Sequence, residues 1–234
     1  RDAQESRGLG DVYKRQFKIR YICWSVDSPV MELFSKSIQN PCNRIFLFDR
    51  MQYTEIAPLN PGNVFHFPLA VNVTDKQNVI QQASISDLER FSSNVSFVGS
   101  LYTEKCPYDR LSTPPAYLSG YLNGLMEAQL KVYGYYFVEE LLPDNIVEEF
   151  KAHMEHFYTY PLETYLTDRQ TLAQLYIGSK ITAIERVRTF TMLSEHFDVD
   201  LYTASDTSSL PHIHNRGLAK TLTEMPIIFH ESKI

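Results

Sequence analysis

The chain has 234 residues, 44% hydrophobic and 21% charged, with a formal net charge of −6, which is length enough for one large domain or two small ones around a real core. The acidic balance and the lack of a Lys/Arg stripe exclude a binder of nucleic-acid backbone, which needs a basic face. No run reaches the roughly 18 apolar residues of a membrane span and no signal peptide is visible, so the reading is a cytoplasmic protein without a transmembrane segment.

Residues 1–16, RDAQESRGLGDVYKRQ, are polar, unpatterned and without an initiator Met. RGLGDVYKRQ looks like the translated sequencing-adapter remnant found in metagenomic assemblies, and the segment is set aside as non-native. Phe17–Ser25, FKIRYICWS, has a strand pattern that must turn at Val26-Asp27-Ser28-Pro29, because proline fixes φ and lacks an N–H. Met31–Ile38 reads as a short helix, Arg44–Asp49 as a second strand with Asp49 as its cap, and Met51–Leu59 as a helix stopped by Pro61-Gly62. Asn63–Val71 is a third strand, with Pro68 marking an edge or a bend. Strands alternating with helices at this spacing predict α/β architecture with a parallel sheet.

A polar stretch, 75–94, reads as a linker with one short helix at Ser86–Phe91. Val95–Tyr102, VSFVGSLY, then opens a new unit. A short continuous apolar run is the pattern of a parallel strand covered on both faces. The glycine that ends it lets a phosphate approach the backbone or simply makes a tight turn, and in open α/β sheets ligands lie outside the carboxyl ends of the strands.

Helices follow. Pro114 and Pro115 start one carrying Leu118, Leu122, Leu125, Val132 and Tyr136, with Gly120 and Gly124 one turn apart, as in close packing against a neighbouring helix. Pro143 starts another with Ile146, Val147, Phe150, Met154 and Phe157 on one face. Thr167-Asp168-Arg169-Gln170 has capping-box spacing, Gly178 marks a break or kink, and a further helix leads to the strand Val199–Thr203. Pro226 opens a last helix, and the stop at Ser232-Lys233-Ile234 without a cap suggests an internal fragment of a longer product.

YICWSVDSP, RIFLFDR, the FPLAVN bend, VSFVGSLY, ERVRTFTMLSEHFDVDLYT and EMPIIFHESKI, in this order and spacing, resemble the CgeB-like glycosyltransferases, whose front part carries the domain of unknown function 3880. The resemblance covers Phe17–Ile234. It implies a GT-B type enzyme with two Rossmann-like lobes across a cleft: 17–74 as part of the first, and 95–234 as the start of the second. The second would be incomplete and would carry a helical insertion over about 114–166. The implied partners are a nucleotide-sugar donor and a glycan, lipid or protein acceptor, with no bound cofactor and no metal. The family pattern continues past SKI into a glycine- and acid-rich stretch that would hold most of the donor site, so this chain would be inactive as it stands.

Glycosyl transfer needs stabilisation of a departing diphosphate, a base for the acceptor hydroxyl, and exclusion of water. The resemblance places Gly99, Ser100 and Tyr102, with Ser232 and Lys233, as donor-binding residues, and Trp24 and Ser28 in the acceptor cleft. Asp27 is the candidate catalytic base; an Asx turn before Ser28-Pro29 is the other reading. Trp24 would stack on a sugar ring or belong to the core. Arg186 and Arg188 would brace the sheet or reach a phosphate. His153 with His156 and His212 with His214 have spacings that occur in metal sites but lack a third ligand. The rival function is a non-catalytic binding or assembly module of an envelope or spore coat. Dinucleotide and P-loop roles are disfavoured, since GxGxxG and GxxxxGK[ST] are both missing.

Overall fold

A computed structural model describes residues 16–210 and 212–234, so all but Gln16 of the segment set aside above lies outside the described residues. The chain is α/β and divides into two compact units, each built on a three-stranded parallel sheet. The chain up to Val71 together with Tyr158–Asp168 makes the first, and Asn72–Phe157 with Arg169–Ile234 makes the second.

In the first unit β1 (Tyr21–Ser25), β2 (Asn43–Leu47) and β3 (Val64–His66) lie in sequence order. The register sets Cys23 beside Ile45 and Val64 on one face, and Trp24 beside Phe46 and Phe65 on the other. The first face is the core: Ile45, Leu47 and Val64 pack against Leu33, Phe34, Ile38 and against Ile56 of α1 (Arg50–Ile56). Asp49 does act as a cap, but of α1, its carboxylate accepting the Gln52 N–H at 2.6 Å. The helix expected over 31–38 is instead two 3₁₀ turns, Met31–Phe34 and Lys36–Gln39, split by an extended Ser35. A competing partner explains the break. Residues 163–165 pair with it as a strand would, through Lys36 N–H to Glu163 O at 2.9 Å and Tyr165 N–H to Phe34 O at 2.7 Å.

In the second unit β4 (Val95–Val98), β5 (Val199–Tyr202) and β6 (Ile213–Asn215) pair in that order. The stretch read as a linker with one short helix carries two, α2 (Val73–Gln81), which was not expected, and α3 (Ile85–Phe91), which matches the helix expected at Ser86–Phe91. The sequence reading overlooked their caps: Asn72 accepts the Asp75 N–H at 3.2 Å and Ser84 the Asp87 N–H at 3.1 Å. Their few apolar residues, Val79, Leu88 and Phe91, suffice with Ile227 and Ile228 to cover Tyr202 on the sheet.

The first of the long helices, α4 (Ala116–Gln129), stops short of Val132 and Tyr136. The buried Gln129 side chain turns the chain there, donating to Val132 O and Tyr135 O and accepting from the Phe137 N–H at 2.9–3.0 Å. Gly120 and Gly124 lie on its exposed side, where an added Cβ would meet nothing within 4 Å, so no helix packs there among the described residues. After α5 (Asp144–Ala152), the kink expected at Gly178 takes the form of a π-helical stretch, Thr171–Ile177, that gives way to α6 (Gly178–Ser194). The Tyr136 hydroxyl donates to the Ala173 carbonyl, and a Cβ on Gly178 would crowd that contact, 3.3 Å from Ala173 O and 3.4 Å from the hydroxyl. Finally α7 (Met225–Glu231) begins beside Pro226, as expected. No described helix is long and apolar enough to cross a membrane.

The helical part of this unit is organised around Phe150, fully buried, with the rings of Tyr108, Phe157 and Tyr176 at 5.2–6.3 Å. Phe150→Ala is expected to lose about 3–5 kcal/mol of stability, read as a lowered midpoint in denaturant titration. Burial, with help from Asp109 and Cys106, pushes the Tyr108 phenol up to about 12. An unfolded tyrosine ionises near 10, so the folded state loses its advantage above that pH: chemical denaturation should show stability falling between about pH 10 and 12, less steeply in Tyr108→Phe.

Candidate functional site

Parallel pairing sends the loops after β4, β5 and β6 to one edge of the second unit's sheet. Three of the residues singled out in the sequence, Gly99, Ser100 and Tyr102, are there. The Gly99 N–H continues the ladder to Tyr202 O at 3.2 Å. A Cβ on Gly99 would lie 2.9 Å from the tip of the Phe97 ring, which is itself held between Phe190 (4.9 Å) and the Arg186 guanidinium (5.2 Å). A side chain at position 99 would thus have to displace its own strand's aromatic ring.

Beyond it, Leu101 is buried and donates its N–H to Ser205 Oγ at 2.8 Å, while the Tyr102 N–H reaches back to Ser100 Oγ at 2.8 Å. Tyr102 has φ +63°, in the left-handed region that side chains seldom adopt. Its ring, 41% exposed, lies 4.8 Å from the Arg186 guanidinium. Arg186 also donates to the Ser100 carbonyl, so it fastens the loop to α6 by a hydrogen bond and two cation–π contacts. Of the two roles foreseen for it, bracing is the one observed. Arg188 instead forms a forked pair with Glu127.

Glu104 was not foreseen. It accepts from Ser100 Oγ at 3.1 Å and from Thr103 Oγ1 at 3.2 Å. Its carboxyl is held below the ordinary glutamate range, first by its own backbone N–H and, against some desolvation, by the hydroxyls of Ser205, Ser100 and Thr103. Ser205 comes from the segment after β5, where the Thr203 hydroxyl accepts the Ser205 N–H at 3.0 Å and Asn215 reaches Ser205 O and Thr207 Oγ1. The sequence signal was available: ThrAlaSerAspThrSerSer, 203–209, is a hydroxyl-rich run directly after a buried strand.

Ser232 and Lys233 are elsewhere. They lie beside the amino end of β4, Ser232 bridged to Ser93 and bonded to Ser96, Lys233 Nζ donating to Asn94 Oδ1 at 2.8 Å. Ile234 exchanges hydrogen bonds with Asn94 and Ser96, a parallel pairing on the outer edge of β4. Along the strand, at about 3.3 Å per residue, their partners Ser96 and Asn94 lie roughly 10 and 17 Å from Gly99. The five proposed donor-binding residues therefore do not form one site.

In the first unit, Asp27 is exposed just past β1. The turn is made by Ser25, whose hydroxyl donates to Asp27 O at 3.0 Å and faces the Asp27 N–H at 3.4 Å, which leaves the Asp27 carboxylate to solvent. Ser28 is exposed and precedes Pro29 through a cis peptide bond. Trp24 is no core residue: it is 51% exposed on the sheet face opposite the core, edge-on to Phe67 at 6.0 Å.

The histidines bind protein groups. His153 Nδ1 meets Glu149 O at 2.9 Å, His156 lies 3.8 Å from Glu155, and His214 Nδ1 lies 3.2 Å from Asp200. Asp200, 2% exposed on the central strand, is also paired with Arg216 Nε at 3.0 Å. His212 is exposed at the entry to β6. Among the described residues no group of three or more His, Cys, Asp or Glu is placed to hold a metal ion.

A scan against protein-family models, a search of curated proteins and a search of solved structures each find no match.

Replacing Arg186 with Met removes one charge-assisted hydrogen bond and both ring contacts. Hydrogen exchange at Leu101 and Tyr102 should then speed up by about 1–2 kcal/mol of local opening, with global stability less affected.

Proposed function

We propose that the chain carries part of the two Rossmann-like lobes of a GT-B type glycosyltransferase, the whole of which would act in the cytoplasm to move a sugar from a nucleotide-sugar to a cell-surface or spore-associated glycan, lipid or protein acceptor. The observation that carries the reading is the carboxyl edge of the second unit's sheet. Hydroxyls of Ser100 and Ser205 gather there, polarised by the loop amides that donate to them and with the Arg186 guanidinium close behind on the Ser100 carbonyl; hydroxyl donors beside a positive charge are among the groups that stabilise a departing diphosphate. Parallel sheets bind ligands at this edge because every strand delivers a loop to it. The resemblance of the sequence motifs adds the sugar nucleotide as the ligand class.

In this reading Gly99, Ser100 and Tyr102 border the donor, and Ser232 and Lys233 support the strand from behind. Asp27 serves as acceptor base. Its carboxylate is uncommitted to the turn, which leaves it free to take a proton from an acceptor hydroxyl. Trp24 and Ser28 lie next to it in sequence on the acceptor side.

A second reading, a non-catalytic module derived from such an enzyme, is favoured by the engagement of Arg186 with Ser100 O. Isothermal titration with UDP- and GDP-sugars separates the two: the transferase reading expects saturable binding that Ser205→Ala weakens, and a folded protein that binds neither donor supports the module. Asp27→Asn in a transfer-competent protein is expected to reduce turnover by about 100-fold or more with donor affinity unchanged; unchanged turnover would clear Asp27 of the role.

A further inference from the structure

Ser100 and Thr103, after β4, donate to one carboxylate, that of Glu104, and Ser205, after β5, stands 3.5 Å from the Ser100 oxygen and helps hold that carboxyl low. Their proton arrangement decides what they are suited to hold. A serine hydroxyl has one proton and two lone pairs. The oxygen of Ser205 accepts the Leu101 N–H and the oxygen of Ser100 accepts the Tyr102 N–H, each at 2.8 Å. The two oxygens also lie 3.5 Å apart, within hydrogen-bond reach of each other, so a hydroxyl that is not donating to its neighbour donates outward, to an acceptor that carries negative charge. The amides behind them polarise each O–H further.

The acceptor now in place is Glu104, an exposed residue whose carboxylate lies at the carboxyl edge of a parallel sheet. A phosphoryl group accepts from the same donors at the same distances. An exposed carboxylate also rehydrates readily when displaced, so it is an exchangeable occupant.

We propose that Ser100, Thr103 and Ser205 form a phosphoryl-binding cradle in which Glu104 stands in for the ligand, holding the site closed to anions until a diphosphate displaces it. The inference rests on the proposed donor site and adds a gate to it. With Glu104 in the cradle a second anion meets both an occupied donor set and a like charge. With Glu104 swung into solvent the three hydroxyls are released together.

The test uses the whole chain and its Glu104→Gln variant, titrated calorimetrically with inorganic pyrophosphate, UDP and uridine. Removing the charge is expected to tighten pyrophosphate and UDP by about tenfold or more, with uridine unchanged because it has no phosphate. Adding Ser205→Ala to Glu104→Gln should abolish the gain. Glu104→Ala, which leaves no side-chain amide to hold the loop, should give the same direction, with thermal melting confirming the fold of each variant. Pyrophosphate affinity that is unchanged or weaker in both variants, or undetectable throughout, overturns the gate. If UDP binds wild type and variants alike, the donor-site reading stands and the gate falls. If the variants gain pyrophosphate binding while no sugar nucleotide binds any form, the cradle stands and the glycosyltransferase reading falls.

Discussion

Parallel strand pairing is the constraint from which the rest of the second unit follows. A parallel sheet has no hairpins; each strand must be followed by a crossover, and the crossovers have to cover both faces. Here α6 covers one face of β4–β5–β6, meeting Val95, Val199 and Leu201 through Phe190 and Val187, while α2, α3 and α7 cover the other. All four residues of β5 are buried as a result, including Asp200, whose charge is tolerated because Arg216 and His214 reach it from the exposed edge strand. The same rule sends every loop to one edge, which is why the Ser205 hydroxyl, distant in sequence, meets the Leu101 N–H and the Ser100 hydroxyl.

The first unit obeys the rule on one face only. Its core side is filled, yet Trp24, Phe46, Phe65 and Phe67 form an aromatic row on the opposite face, with Phe46 and Phe65 stacked at 5.1 Å. Side-chain alternation makes this row unavoidable, because shifting the register by one residue would bury it and expose Ile45 and Leu47. The aromatics stabilise one another by ring contact while remaining half open to solvent.

The parts of the fold that could be read in the sequence were those written in local pattern. VSFV, VDLY and RIFL announce themselves as short apolar β-branched or aromatic runs, and their alternation with helical periodicity leads to parallel pairing without further information. Helix starts at Pro143 and Pro226 were equally visible. Helix ends were less so: the stop of α4 is imposed by a buried Gln129 bonding three backbone groups of the following loop. The two 3₁₀ turns around Ser35 depend on a segment more than a hundred residues away. For the candidate site, the glycine after β4 was read for phosphate approach or a tight turn, whereas the atom closest to its missing Cβ belongs to Phe97. Ser232 and Lys233 were grouped with it by motif, and motif order carries no information about which end of a strand a residue occupies.

By itself the sequence determined the α/β class and the parallel strands, because hydrophobic period and turn residues act over a few positions and need no partner. Tertiary structure alone decided that Ser205 meets the loop after β4, that Arg186 holds the loop instead of standing free, and that Trp24 lies half open on a sheet face. Those outcomes depend on which crossovers bring two loops side by side and on which surfaces remain uncovered, and neither is encoded in any one segment.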